Sequence, residues 1–153
     1  MKTRLLSSIL LLGVLALTAC PTTNPKKNAK KPGTTEKRAL ADQESTAMDF
    51  QAFLGRLRKA AQAHDVNAVA SMMTEDFGYR LNPEGSGAGV FEYWDQNNLW
   101  VELNAILAEP FTPKETYMVS PPQFADPASQ YDGYRAGIRR VNGSWKFAYF
   151  VNG

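Results

Sequence analysis

"YRAGIRRVNGSWKFAYFV", residues 134–151, consists of two runs of alternating character that meet at Asn142-Gly143. Asn-Gly accepts the positive φ angles of a two-residue turn at little cost, so the pair predicts a tight antiparallel hairpin. Such a turn sets the register: Val141 faces Ser144, Arg139 faces Lys146 and Ile138 faces Phe147. Strict alternation puts Tyr134, Ala136, Ile138 and Arg140 on one face with Trp145, Phe147, Tyr149 and Val151. Arg135, Gly137 and Arg139 share the other with Lys146, Ala148 and Phe150. The first face is nearly all apolar and is expected to pack on helices. The second is basic and is expected to meet solvent or a partner. Arg139 and Lys146 are like charges directly across a strand pair, tolerable in water or beside an acid from another strand or a second copy. On that reading Lys146→Glu leaves the fold intact or slightly firmer.

The partner helices lie upstream. "MDFQAFLGRLRKAAQAH", residues 48–64, carries a stripe of Phe50, Phe53, Leu54, Leu57, Ala60 and Ala61 at helical spacing, with Ser45 or Thr46 as a possible cap. Asp65 is placed to cap a shorter helix bearing Val66, Val69, Met72 and Met73. "DFGYRL", residues 76–81, predicts a strand and "NPEGSGAG", residues 82–89, a loop. "VFEYWDQNNLWVELNAILAE", residues 90–109, predicts a helix broken or bent at Gln96-Asn97-Asn98, with Pro110 and Pro113 ending it. Thr116 to Val119 predicts a strand. The three prolines of "SPPQFADPASQ", residues 120–130, predict a loop or an edge. Helices, a strand, more helix and a closing antiparallel sheet make one α+β domain over 45–153.

The run "FLGRLRKAAQAHDVNAVASMMTEDFGYR", residues 53–80, is a helix, a short Asp-led helix and an Asp-Phe step into a strand. Together with the Gly- and Trp-bearing terminal hairpin it resembles the nuclear transport factor 2-like superfamily, which includes the SnoaL-like proteins. The resemblance spans most of residues 48–153. It implies N-terminal helices packed on a curved antiparallel sheet that forms a cone with a pocket. Members include isomerases, dehydratases and hydrolases as well as domains without known activity. Residues placed to line such a pocket are His64, Tyr79, Trp94, Tyr117 and Tyr149. Each is more simply read as an ordinary core or half-core side chain.

The chain begins Met1-Lys2-Thr3-Arg4, runs through an apolar stretch Leu5–Leu17, and reaches Thr18, Ala19 and Cys20, its single cysteine. A charged start, an apolar centre and small residues before a cut are the parts of a secretory signal. The apolar stretch is short for a membrane span, which needs roughly 20 residues. Leu17-Thr18-Ala19-Cys20 resembles the lipobox of bacterial lipoproteins. The resemblance implies a signal peptide over 1–19, lipidation of the Cys20 thiol, cleavage before it and attachment to a membrane at its periplasmic face. Pro21, where an Asp would signal inner-membrane retention in that family, points to the outer membrane. A single cysteine also excludes an internal disulfide.

Residues 20–44 are rich in Pro, Thr, Asn, Gly and Lys and predict a disordered basic linker. About 24 such residues reach roughly 25–30 Å. From 21 to 38 there are six basic residues and one acid, whereas 39–153 holds nine basic and fourteen acidic residues. The basic run has no aromatic interleaving and no folded platform, so no nucleic-acid partner is expected.

The catalytic inventory is thin. His64 is the one histidine and sits at the end of the first helix, where a helix-end or half-buried role is ordinary. One His with scattered acids has no metal-ligand spacing, and no cofactor is expected. "GSGAG", Gly85–Gly89, lacks the spacing and the following Lys-Ser or Lys-Thr of a phosphate loop, and Glu84 adds the wrong charge. These observations point to an envelope lipoprotein with a small non-catalytic binding or assembly domain. Its partners are the membrane through Cys20 and a protein or second copy through the sheet. The alternative is a small-molecule-binding or isomerase- or dehydratase-like enzyme using the cone.

Overall fold

A computed structural model describes residues 33–81 and 89–153. Cys20 and its signal, residues 21–32 of the basic segment and residues 82–88 of the glycine-rich loop lie outside the described residues. The elements run α1 (Gly33–Gln62), α2 (Val66–Met72), β1 (Met73–Gly78), α3 (Val90–Gln96), α4 (Leu99–Ala108), β2 (Thr112–Lys114), β3 (Tyr117–Ser120), β4 (Arg135–Val141) and β5 (Ser144–Val151), with a 3-10 turn at Pro122–Ala125. Five strands form one open sheet in the order β1-β5-β4-β3-β2. The domain is α+β, as its pattern predicts. The sheet is mixed rather than antiparallel, because β1 runs parallel to β5 while the other pairs are antiparallel.

Helix α1 begins at Gly33, not near Ser45, so residues 33–44 of the expected linker are helical. Glu36, Lys37, Arg38, Ala39, Leu40, Ala41 and Gln43 are good helix formers, and Glu36 sits favourably in the first turn. A shortage of large apolar residues forbids a core there but not an exposed helix. Thr46 is no cap; its hydroxyl donates back to the Asp42 carbonyl at 2.8 Å. From Phe50 onward the predicted stripe is buried: Phe50, Phe53, Leu54, Leu57, Ala60 and Ala61 all enter the core.

Asp65 caps α2 by accepting the Ala68 N–H at 3.0 Å. Strand β1 starts at Met73, so that residue leaves the second helix earlier than its spacing suggests. The predicted break at Gln96-Asn97-Asn98 separates α3 from α4, with Asn98 at φ 54. Asn tolerates this left-handed conformation better than most residues, which lets the chain turn there. The end of α4 is held by Arg58 of α1, whose Nε donates to the Leu107 carbonyl at 2.5 Å. Ser120 ties the sheet to the same helix, its hydroxyl donating to the Ile106 carbonyl at 2.8 Å.

The terminal hairpin turns at Asn142-Gly143 with φ 50 and 82, and Val141↔Ser144, Arg139↔Lys146 and Ile138↔Phe147 pair as predicted. Beyond Ile138 the register slips by one: Gly137 pairs Tyr149, Ala136 pairs Phe150 and Arg135 pairs Val151. Ala148 is the extra residue of a β-bulge, which exchanges the faces that follow it. Phe150 therefore joins Ile138 and Phe147 in the core, 1% exposed, and Tyr149 moves to the outer face. There the Tyr149 ring lies across Gly137, where any Cβ would collide with it.

Candidate functional site

The interior of the domain is filled by interlocked rings. Trp94 meets Phe77, Phe91, Trp100 and Phe150 edge-on, at centroid distances of 6.0, 5.4, 5.2 and 5.5 Å. Phe147 closes on Phe77 at 4.9 Å. Trp94 and Phe147 are wholly buried. Trp94 is thus a core residue and not the wall of a pocket.

The other four expected pocket residues are dispersed rather than gathered. His64 lies just beyond α1, half exposed, with its ring against Trp100 at 4.1 Å and Nε2 3.0 Å from Asp95 Oδ1. Trp100 donates its indole N–H to the same Asp95 oxygen at 2.7 Å. The carboxylate orients the imidazole, which is the supporting half of an acid–base pair, but no nucleophile touches it among the described residues. Tyr79, at the far end of β1, is buried beside Tyr93 at 5.7 Å. Arg80 lies over both rings, 5.1 and 4.4 Å from their centroids, at a cleft of about 270 Å³ that Leu99 and Tyr134 also line. Tyr117 and Tyr149 do come together, 5.5 Å apart, but on the outer face of the sheet. Burial there pushes the Tyr149 hydroxyl up to about 12, which keeps it a neutral donor.

The same outer face continues into a polar groove of about 570 Å³ between the hairpin and β1, lined by Thr74, Asp76, Arg139, Ser144 and Lys146 among others. Sequence reasoning named Arg139 and Lys146 as a basic pair but did not find Asp76, which lies 63 residues away from Arg139. Arg139 Nη2 donates to both Asp76 oxygens at 2.8 Å, reaching across β5 to β1. Thr74 beside that carboxyl, and with it the Arg139 guanidinium, holds Asp76 below the usual carboxylate range against the opposing effect of burial. The pairing therefore contributes above the ordinary carboxylate pKa and is lost only as pH falls through the lowered one. Lys146 Nζ donates to the Ser71 carbonyl in the last turn of α2 at 2.9 Å. Such a cation complements the negative end of a helix.

The predicted repulsion between Arg139 and Lys146 is thus dissipated in opposite directions, and this changes the expectation for charge reversal. Lys146→Glu removes the bond to Ser71 and sets a carboxylate near Asp76 and the end of α2. We expect a loss of about 0.5–1 kcal/mol in stability, measured by the denaturant midpoint. An unchanged or raised midpoint would show that the Arg139–Lys146 repulsion dominates after all.

Among the described residues no group of three or more His, Cys, Asp and Glu side chains could hold a metal ion. No helix there is long and apolar enough to cross a membrane. No protein family, curated protein or solved structure matches the chain.

Proposed function

We propose that the chain is a bacterial envelope lipoprotein, anchored through lipidated Cys20 at the periplasmic face of a membrane, the outer one rather than the inner. Its domain has a nuclear transport factor 2-like architecture and serves binding or assembly without catalysis. The order of helix, short helix, strand, helices and closing strands supports that architecture, as does the first strand lying beside the last. The observation that carries the non-catalytic reading is the filled interior. Where a cone would hold a substrate, Trp94, Phe147, Phe150 and Phe77 pack on one another, none more than 2% exposed. A polar groove lined by Asp76, Arg139 and Lys146 lies instead on the outer face of the sheet, which suits a protein partner.

The His64–Asp95 contact favours a second reading, an acid–base enzyme working at the mouth of the helices. The two readings separate by crosslinking of the chain in intact cells. Adducts that Lys146→Glu removes and His64→Asn leaves alone support the binding role. A loss-of-function phenotype on His64→Asn alone, with adducts unchanged, supports the enzyme.

The anchor has its own test. Cys20→Ala is expected to abolish incorporation of labelled fatty acid and to leave the chain unprocessed or out of the membrane fraction. Equal labelling and equal partition of variant and parent would end the lipoprotein reading.

A further inference from the structure

The stripe that buries α1 does not stop where the core stops. Leu40, Gln43, Ala47, Phe50, Leu54, Leu57 and Ala61 follow one another at alternating steps of three and four residues. This is the a/d spacing of a helix that packs along a second helix. From Phe50 onward the stripe is covered by the domain itself. Before Phe50 it projects past the core, and Leu40, on the core-facing side of its helix, is 60% exposed. Beneath the overhang lies a largely apolar slot of about 460 Å³, with Gln43, Ala47 and Phe50 on one wall and Met118 and Trp145 on the other.

The charges beside the stripe suggest what covers it. Lys37 and Glu44 occupy the same flank, seven residues apart, each next to the apolar seam. Residues at that flank face each other across an antiparallel helix pair and help choose the partner. A helix carrying the same sequence in the opposite direction sets its Glu44 against Lys37 and its Lys37 against Glu44. In a parallel copy this flank faces the other flank of the partner helix, where Ala39 and Thr46 stand, and no such charge pair forms.

We propose that a second copy of this chain covers the overhang. The two α1 segments pack antiparallel about a two-fold axis. Leu40 of each copy sits beside Gln43 of the other, at the mouth of the slot, and Lys37 pairs with Glu44 in both directions. This interface rests neither on the anchor at Cys20 nor on the outer face of the sheet. It buries less than a standard interface, so the expected dissociation constant is on the order of 10 μM.

The test is sedimentation equilibrium of the full chain in mild detergent. The parent chain is expected to show a reversible monomer–dimer equilibrium. Leu40→Asp, a change at an exposed position that leaves the core untouched, is expected to weaken it at least about tenfold. Lys37→Glu and Glu44→Lys are each expected to weaken it about fivefold, and the double exchange to restore it. Lys146→Glu, on the outer sheet face, is expected to leave it unchanged. A chain that stays monomeric at about 100 times that concentration, a dimer that survives Leu40→Asp, or charge variants that the double exchange does not rescue would each overturn the proposal. So would a dimer broken by Lys146→Glu, which would place the contact on the sheet.

Discussion

Phe147→Ala is expected to lower stability by about 3–5 kcal/mol, enough to leave a domain of ordinary stability largely unfolded at physiological temperature. The ring is wholly buried, sits opposite Ile138 across the hairpin and stands edge-on to Phe77 at 4.9 Å. It therefore joins β4, β5 and β1 at one point, and no single neighbour can relax into the space it leaves. Urea unfolding followed by far-UV circular dichroism measures the loss. The charge reversal next door, at Lys146, serves as the comparison, because it changes the neighbouring residue on the opposite face. If the two variants lose similar amounts, the assignment of the hairpin's faces is wrong.

Trp94→Ala is expected to cost a similar amount, about 3–5 kcal/mol, through a different route. Trp94 comes from α3 and touches rings from β1, α3, α4 and β5, so its loss uncouples the helices from the sheet. Its buried indole N–H has no hydrogen-bond partner among the described residues. An unpaired buried donor is itself a cost. Trp94→Phe removes that donor together with part of the ring, so the two effects oppose each other and the net loss is expected to be about 1 kcal/mol. Thermal unfolding of both variants tests this. A Trp94→Phe variant as unstable as Trp94→Ala would mean that the N–H is satisfied after all.

Local chemistry made much of this fold legible. Asn142-Gly143 set the hairpin because few dipeptides accept two successive positive φ angles, and Asp65 declared a helix start because a carboxylate suits the free N–H groups there. Strict alternation failed at one residue. Trp145, Phe147, Tyr149 and Val151 read as a continuous apolar face, yet Phe150 is the more hydrophobic of the adjacent aromatics. Burying it required an extra residue at Ala148. The adjacent pair Tyr149-Phe150 after a small residue was the available signal. The opposite error occurred in α1, where composition alone argued against order before Ser45. An exposed helix needs good helix formers and caps rather than a core, and residues 35–44 have the formers.

The site was less legible than the fold because its members meet only in three dimensions. Arg139 could be placed on an outward face from the turn alone. Its partner Asp76 could not, since nothing local tells that β1 lies parallel to β5. Tyr117 and Tyr149, both expected in a pocket, do meet, but the bulge carries Tyr149 to the other side of the sheet. His64 met Asp95 and Trp100 rather than a tyrosine, through the left-handed residue at the end of α1 and the break before α4.

The three tryptophans divide the molecule into two optical compartments. Trp94 and Trp100 are both buried and stand 5.2 Å apart, so blue-shifted emission and mutual energy transfer are expected of them. Trp145 stands apart from them at the slot under α1, only partly buried, with the Arg140 guanidinium 4.8 Å from its ring. Its emission is the one that a soluble quencher can reach and that a neighbour entering the slot would shield. One chain thus carries separate lamps for its interior and for its flank, and the light from each can be followed without attaching a dye.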